Sequence, residues 1–221
     1  MPARSSRRTT RRIRQEPRLR TPVRKSLLVL ECDTDKLANQ GLSLADAIET
    51  TAKPFSADGR IAVVKSLNKQ NLLSQIAPLA ETEDPQFRII VVVAHSNESG
   101  LRLASDYAVS WEAFANWVRP FEPKQIILIA CNAGQPAPAI SLFGGIPTLR
   151  DLYASPIRTT ARHVQAIRAL IPYLLNARSI DADLIRAGQF GNFFLTGGLI
   201  LRWRRKDFPS TGLRPSRKRT G

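Results

Sequence analysis

Four short apolar runs, separated by segments with helical periodicity, constrain the fold of this chain more than any other feature. The runs are rich in Val, Ile and Leu and span residues 26–32, 60–65, 87–94 and 125–130. The third and fourth runs, FRIIVVVA and QIILIA, are apolar without alternation, as is typical of parallel strands covered on both faces. Strand–helix alternation at this spacing implies right-handed crossovers. The sequence therefore predicts an α/β fold with a mostly parallel sheet and helices on both faces.

Helices are predicted between these runs from their N-terminal caps and apolar stripes. Ser43 begins a capping box before a helix over residues 44–52, and Ser110 caps a helix over residues 111–118. Asn68 caps the helix between them, in which leucine and isoleucine side chains recur at helical spacing and form one apolar stripe.

The pattern beyond residue 134 predicts four further elements. Two short helices are expected over residues 139–143 and 148–153, followed by a longer amphipathic helix over residues 160–171. A last strand is expected over residues 193–201.

The positive charge of the chain is concentrated at its two ends. The formal net charge is +15, but residues 1–25 hold ten Arg or Lys and one acid, and residues 202–221 hold eight and one. Residues 26–201 are nearly neutral, with a net charge of −1. Like-charged runs rich in Arg, Ser, Thr and Pro cannot bury apolar area. We therefore expect one domain over residues 26–208 between disordered basic tails at 1–25 and 209–221.

The tails leave several partners open: nucleic acid, an acidic protein, an anionic membrane surface, or none beyond a solubilising role. A membrane span is not expected, because the longest apolar candidate has nine residues and a helix needs about 20. No apolar signal segment precedes Ser26. Two cysteines and two histidines make neither a disulfide framework nor a metal site, and a cytoplasmic location fits this composition best.

Two reactive side chains follow the third and fourth predicted strands. The third strand continues as VVVAHSNESG, so His95 comes where the strand ends, and the fourth continues as ILIACNAG, which places Cys131 equivalently. In open α/β sheets, sites form beyond the carboxyl ends of the strands. An imidazole near a thiol favours the nucleophilic thiolate and can protonate the leaving amine. Cys131 is therefore the predicted nucleophile and His95 the predicted general base and acid.

These motifs resemble those of the caspase-like cysteine peptidases, the group that includes caspases, metacaspases and CHAT proteases. That family places its His after one strand and its Cys after the next, as AHSNESG and ACNAG do here, thirty-six residues apart. The resemblance covers roughly residues 26–134 and implies a caspase-like three-layer sandwich and a cysteine endopeptidase acting on protein substrates. It implies no cofactor. Bacterial members often act in host-defence or cell-death assemblies, which implies an activating protein partner.

The resemblance also assigns residues around the pair. The backbone amides of Ser96 and Cys131 are the expected oxyanion donors, although the family usually has Gly where this chain has Ser96. Asp33 and Asp35 follow the first strand, where family acids line the pocket for a basic residue, and Glu98 lies in the loop after the histidine. These three acids predict cleavage after Arg or Lys.

Two other functions remain open on the sequence. One is a catalytically inactive interaction domain of the same fold, and the other is a nucleic-acid-associated regulatory domain acting through its basic tails. Cys32 also ends a strand and is expected in the core. His163 lies in an amphipathic pattern remote from the strand ends and is expected to be structural.

Overall fold

The computed structural model describes residues 26–32, 44–55, 60–65, 69–103, 108–155 and 201–208. The basic segments 1–25 and 209–221 lie outside these ranges, as do Ser43, Asn68 and His163. Within the described ranges the elements are, in chain order, β1 (Leu27–Glu31), α1 (Leu44–Ala52), a 3₁₀ turn (Lys53–Phe55), β2 (Ile61–Lys65), α2 (Lys69–Ala80), β3 (Ile89–Val93), β4 (His95–Asn97), β5 (Gly100–Arg102), β6 (Ala108–Ser110), α3 (Trp111–Val118), a 3₁₀ turn (Arg119–Phe121), β7 (Gln125–Ile129), α4 (Pro136–Gly145), β8 (Asp151–Ala154), β9 (Leu201–Arg204) and a 3₁₀ turn (Arg205–Asp207).

The main sheet has the strand order β2-β1-β3-β7-β8-β9. Its first five strands are parallel, and β9 runs antiparallel to β8. The four apolar runs form β1, β2, β3 and β7, which confirms the predicted α/β class and the mostly parallel sheet. Because β1 and β3 are central and buried along their whole length, continuous apolar sequence is what their positions require.

Alternate side chains of the strands divide into two buried clusters, one on each face of the sheet. On one face Leu28 packs in a cluster with Phe114 of α3 and Leu142 of α4. On the other face Val29 packs in a cluster with Ile48 of α1. Complete burial of such a side chain contributes about 1.5–3 kcal/mol. The helices therefore cover both faces of the sheet, and the strand ends project from a packed core.

The helix over residues 111–118 begins as its cap predicts. The Ser110 hydroxyl accepts a hydrogen bond from the backbone N–H of Ala113 at 3.1 Å. Leu72 and Ile76 of α2 are buried, as the apolar stripe predicts. The predicted helix over residues 139–143 is confirmed and is longer, because α4 begins at Pro136.

The helix expected over residues 148–153 is wrong. Residues Asp151–Ala154 form β8, which pairs with β7 and is buried at every position. A side-chain bond from the Thr148 hydroxyl to the Pro123 carbonyl, 3.0 Å long, fixes the turn before it. Burial between two strands thus outweighs the weak local helical pattern.

The structure describes a strand at Leu201–Arg204, of which Leu201 falls within the strand expected over residues 193–201. Residues 193–200 and the helix expected over 160–171 lie outside the described residues. Arg202 of β9 forms an ion pair with Asp151 at 2.8 Å, and the indole of Trp203 packs on the opposite face. An edge strand that alternates charged and apolar residues escapes a search for continuous apolar runs.

Arg205, directly after β9, ties this edge to α4. Its guanidinium donates to the carbonyl oxygens of Leu149 at 2.7 Å and Phe143 at 2.9 Å, and also to that of Ile146. Burial lowers the pKa of this guanidinium from its usual value.

Among the described residues, no helix is both long enough and apolar enough to cross a bilayer.

Candidate functional site

The candidate site lies where β3 and β7 end side by side. These strands pair in parallel, with Val93 opposite Ile129, and the Ala94 amide then donates to the Ile129 carbonyl at 3.3 Å. Neighbouring strands are about 4.8 Å apart. Two residues beyond the last pair, the chain reaches His95 on one strand and Cys131 on the other. The structure therefore brings both predicted catalytic residues to the same edge of the sheet.

A side-chain hydrogen bond joins the two segments directly. The Ser96 hydroxyl donates to the backbone carbonyl oxygen of Cys131. His95 is exposed and Cys131 is half-buried, while Ala94 and Ala130 immediately before them are buried. The imidazole is thus open to solvent, and the thiol stands at the boundary between solvent and core.

The turn that carries Cys131 is held from the neighbouring strands. Asn132 has a φ of 57°, a left-handed conformation that Asn tolerates better than most residues. The Gly134 amide donates to the Ser155 carbonyl at 2.7 Å, just beyond β8. The indole N–H of Trp203 in β9 donates to the Gly134 carbonyl at 3.0 Å. The chain just beyond β8 and the indole of β9 therefore hold the turn that carries Cys131.

His95 begins a tight hairpin rather than the loop expected from the sequence. Strands β4, β5 and β6 form a small antiparallel sheet. At the hairpin tip the Asn97 side-chain oxygen accepts from the amides of Ser99 at 2.9 Å and Gly100 at 3.1 Å. The Trp111 indole donates to the Glu98 carbonyl at 3.2 Å. The segment that carries the imidazole is consequently anchored to α3.

Of the three predicted acids, the structure describes Glu98 alone. Glu98 is exposed at the hairpin tip, and its three-residue separation from His95 corresponds to about 10 Å of strand. Asp33 and Asp35 lie outside the described residues. Cys32 is 1% exposed and belongs to the core, which confirms its expected structural role.

The sequence leaves Arg102 open as a residue that enters the pocket, but it does not predict the pairing of Arg102 with His95. Arg102 pairs with His95 across β4 and β5, and it is exposed. Directly opposed residues have their Cβ atoms about 4.5–5.5 Å apart. The sequence signal was the two-residue turn Glu98–Ser99 followed by Gly100, which sets the hairpin register. A basic residue therefore stands directly opposite His95 in the hairpin.

No protein-family model and no curated protein matches this chain. The function has to be argued from the residues at this edge of the sheet.

Within the ranges that the structure describes, no three His, Cys, Asp or Glu side chains gather as metal ligands. What the edge does offer is a thiol, an imidazole and two backbone segments joined by a hydrogen bond. A thiol beside an imidazole is the chemical set for nucleophilic attack on an acyl carbon.

Proposed function

We propose that this chain is a caspase-like cysteine endopeptidase, with Cys131 as the nucleophile and His95 as general base and acid. The observation that carries the proposal is the hydrogen bond from the Ser96 hydroxyl to the Cys131 carbonyl. It links the segment after β3, which carries His95, to the segment after β7, which carries Cys131. The parallel register of these strands supports the same pairing.

The proposed reaction is a two-step acyl transfer. His95 accepts the thiol proton, the Cys131 sulfur attacks the peptide carbonyl carbon, and His95 returns the proton to the leaving amine as the C–N bond breaks. Water then attacks the thioester while His95 takes its proton. The carboxylic acid product leaves and the thiol is regenerated. Each bond cleaved consumes one water molecule.

The oxyanion of each tetrahedral intermediate needs hydrogen-bond donors. The proposed donors are the backbone amides of Ser96 and Cys131, the residues on either side of the link between the two segments. A single donor of this kind is worth about 100- to 1,000-fold in rate. The Ser96 side chain does not displace the amide, since its hydroxyl is engaged with the Cys131 carbonyl.

The proposed substrate is a protein cut after Arg or Lys, with Asp33, Asp35 and Glu98 as the acids that receive the basic side chain. A carboxylate facing a guanidinium is worth more in a partly dry pocket than at the surface. Arg102 opposes this preference, because it stands opposite His95. A positional-scanning peptide library tests this preference. Cleavage after Asp would contradict the acidic pocket, even if Cys131 and His95 are active.

The proposal includes a cytoplasmic location and an activating protein partner. Cys32 and Cys131 are both free thiols, a state that a reducing compartment preserves. The activating partner is proposed from the family resemblance alone. Because proteolysis would require that partner, the reactivity of Cys131 is tested before proteolysis.

The direct test is alkylation by iodoacetamide at neutral pH, followed by intact mass and peptide mapping. We expect one rapid adduct, on Cys131, formed faster than with a free cysteine, because the imidazole favours the thiolate. His95→Ala should slow it to the free-thiol rate or below. Buried Cys32 should stay unmodified, and Cys32→Ala is the matched control that retains the rapid adduct. A Cys131 that reacts no faster than a free thiol would overturn the proposal.

The second candidate is an inactive interaction domain of the same fold. The observation that favours it is Ser96, a side chain between the two segments where the related enzymes usually have Gly. In that case His95→Ala leaves the alkylation rate of Cys131 unchanged.

A further inference from the structure

A row of basic residues crosses the amino edge of the main sheet, which is the edge where the parallel strands begin. Arg88 precedes β3, Lys124 precedes β7, Arg150 precedes β8, and Arg205 follows the antiparallel β9. Their backbones are hydrogen-bonded in sequence: Lys124 N–H to Arg88 O at 3.0 Å, Arg150 N–H to Lys124 O at 2.8 Å, and Arg205 N–H to Arg150 O at 2.9 Å. With Lys206 this set is the basic row.

The members of the basic row differ in how far their side chains are exposed to solvent. Arg205 is engaged with the carbonyls at the end of α4, which is a structural role. Arg150 and Lys206 are exposed, and Lys124 and Arg88 are half-buried. The outward charge therefore comes chiefly from Arg150 and Lys206, with Lys124 between the strands beside them.

Acidic residues at the same edge lie mainly toward its other half. Glu81, Glu83 and Asp84 are exposed in the connection before β3, where the Arg60 guanidinium donates to the Asp84 carbonyl at 2.8 Å. Glu122 is also exposed, before β7, and its carboxylate accepts a hydrogen bond from Gln86.

Two acids adjoin the row in the chain, Asp151 after Arg150 and Asp207 after Lys206. Asp151 is 8% exposed, and its carboxylate is held by Arg202. The half of the edge formed by β7, β8 and β9 therefore carries Lys124, Arg150 and Lys206 against Glu122 and Asp207, and its bases outnumber these acids.

Both strongly basic runs of the sequence join the described chain at this edge. The first ends at Ser26, whose hydroxyl accepts from the Arg88 amide at 3.1 Å. The second follows Phe208, whose ring centroid is 5.1 Å from that of Phe143 at the end of α4. Residues 1–25 carry a net charge of +9, and residues 209–221 hold four Arg or Lys and no acid. Both runs are therefore joined to the edge that carries the basic row.

We propose that this amino edge, to which the two basic runs are joined, binds the phosphate backbone of nucleic acid, on the side of the sheet opposite His95 and Cys131. Four neighbouring strands span about 14 Å, the length of about four phosphates along one DNA strand. Guanidinium groups match phosphate geometry in two-pronged hydrogen bonds. The proposed binding does not depend on the protease chemistry. It does not distinguish base sequences, because the basic row contacts phosphates and not base edges.

A membrane surface fits the edge less well. Peripheral membrane binding needs an apolar face beside the basic residues. Among the described residues the one large exposed apolar side chain is Ile140, in the middle of α4. A purely structural role, in which the bases only complement the carboxyl ends of the helices, accounts for Arg205 but not for exposed Arg150 and Lys206.

The test is fluorescence anisotropy of the full chain with a labelled 20-nucleotide RNA and a labelled 20-base-pair DNA, at increasing KCl. The edge variant is Arg150→Gln with Lys206→Gln. The matched control, Lys65→Gln with Arg102→Gln, removes the same charge from the opposite edge. We expect the edge variant to flatten the slope of log affinity against log salt by about 1.8, because each phosphate that the protein no longer neutralises reduces the slope by about 0.9. The control should keep the slope.

Cys131→Ala should bind like the unaltered chain, so a failed protease hypothesis leaves this result intact. Equal losses of affinity in the edge variant and the control would overturn the proposal, as would full binding by the edge variant. Binding to vesicles with 30% anionic lipid but to neither oligonucleotide would identify a membrane surface instead and overturn it as well. Melting temperatures of both variants establish that they are folded.

Discussion

At Ser96 a single side chain, and not only the sheet, holds the two halves of the candidate site together. Its hydroxyl donates to the carbonyl of Cys131, so the position of the thiol depends on the segment that carries His95. A glycine there would leave the two segments joined only through the strands beneath them. Ser96 is therefore the residue that couples the segment carrying Cys131 to the segment carrying His95.

Substituting Ser96 should separate this coupling from folding. Ser96→Ala should slow alkylation of Cys131 several-fold and cost about 1 kcal/mol of stability, the usual net worth of one hydrogen bond. Ser96→Thr keeps the hydroxyl and should retain most of the rate. The measurements are iodoacetamide kinetics and urea unfolding. Equal rates in the alanine and threonine variants would show that the bond does not position the thiol.

The proposed catalytic pair should behave as one unit. Cys131→Ala and His95→Ala should each abolish proteolysis of the preferred peptide, and the double variant should lose little more than either single one. Circular dichroism should show all three variants folded, since His95 is exposed and Cys131 is half-buried. If the fold-loss of activity in the double variant equals the product of the two single losses, the residues act independently.

At the scale of elements, the hairpin β4–β5 depends on one close approach. A Cβ atom at Gly100 would lie 2.0 Å from the backbone carbonyl oxygen of Val109 in β6, so no side chain fits without moving that strand. Since Gly100 closes the turn after His95, the small sheet and the imidazole share this constraint.

Two glycines give opposite predictions. Gly100→Ala should destabilise the protein by about 1–3 kcal/mol, the usual cost of overpacking, and should reduce Cys131 alkylation because the hairpin shifts. Gly144→Ala is the matched control: nothing lies within 4 Å of its Cβ position in α4, and alanine should stabilise that helix by up to about 1 kcal/mol. Urea unfolding measures both, and a neutral Gly100→Ala would contradict the close approach.

The long apolar strands were predictable because their burial on both faces leaves a continuous pattern. Strands β1, β2, β3 and β7 match their predicted runs to within two residues. The three-residue strands β4, β5 and β6 leave no such pattern, since their pairing is set by Gly100 and by the Trp111 indole. Consequently His95 and Cys131 could be found from strand ends alone, whereas Arg102 required the hairpin register.

At the scale of the whole molecule, the basic runs are expected to contribute little to the stability of the folded domain. Deleting residues 1–24 and 209–221 should change the melting temperature by no more than about 2 °C, because sequences of that composition bury little apolar surface. Differential scanning calorimetry of the full and shortened chains measures this shift. If the shortened chain unfolds, the runs pack on the domain and its boundaries are wider than residues 26–208.

The antiparallel pairing of β8 and β9 has a consequence for how such a protein can change over time. Ala154 pairs with Leu201, so the 45 residues between Ser155 and Leu201 leave and rejoin the sheet at neighbouring positions beside the Cys131 turn. Closing a loop between fixed ends costs only about 0.6 kcal/mol more for each doubling of its length. Because the sheet fixes both ends of this connection, its length can change at little cost in chain entropy while the turn that carries Cys131 and its support stay the same.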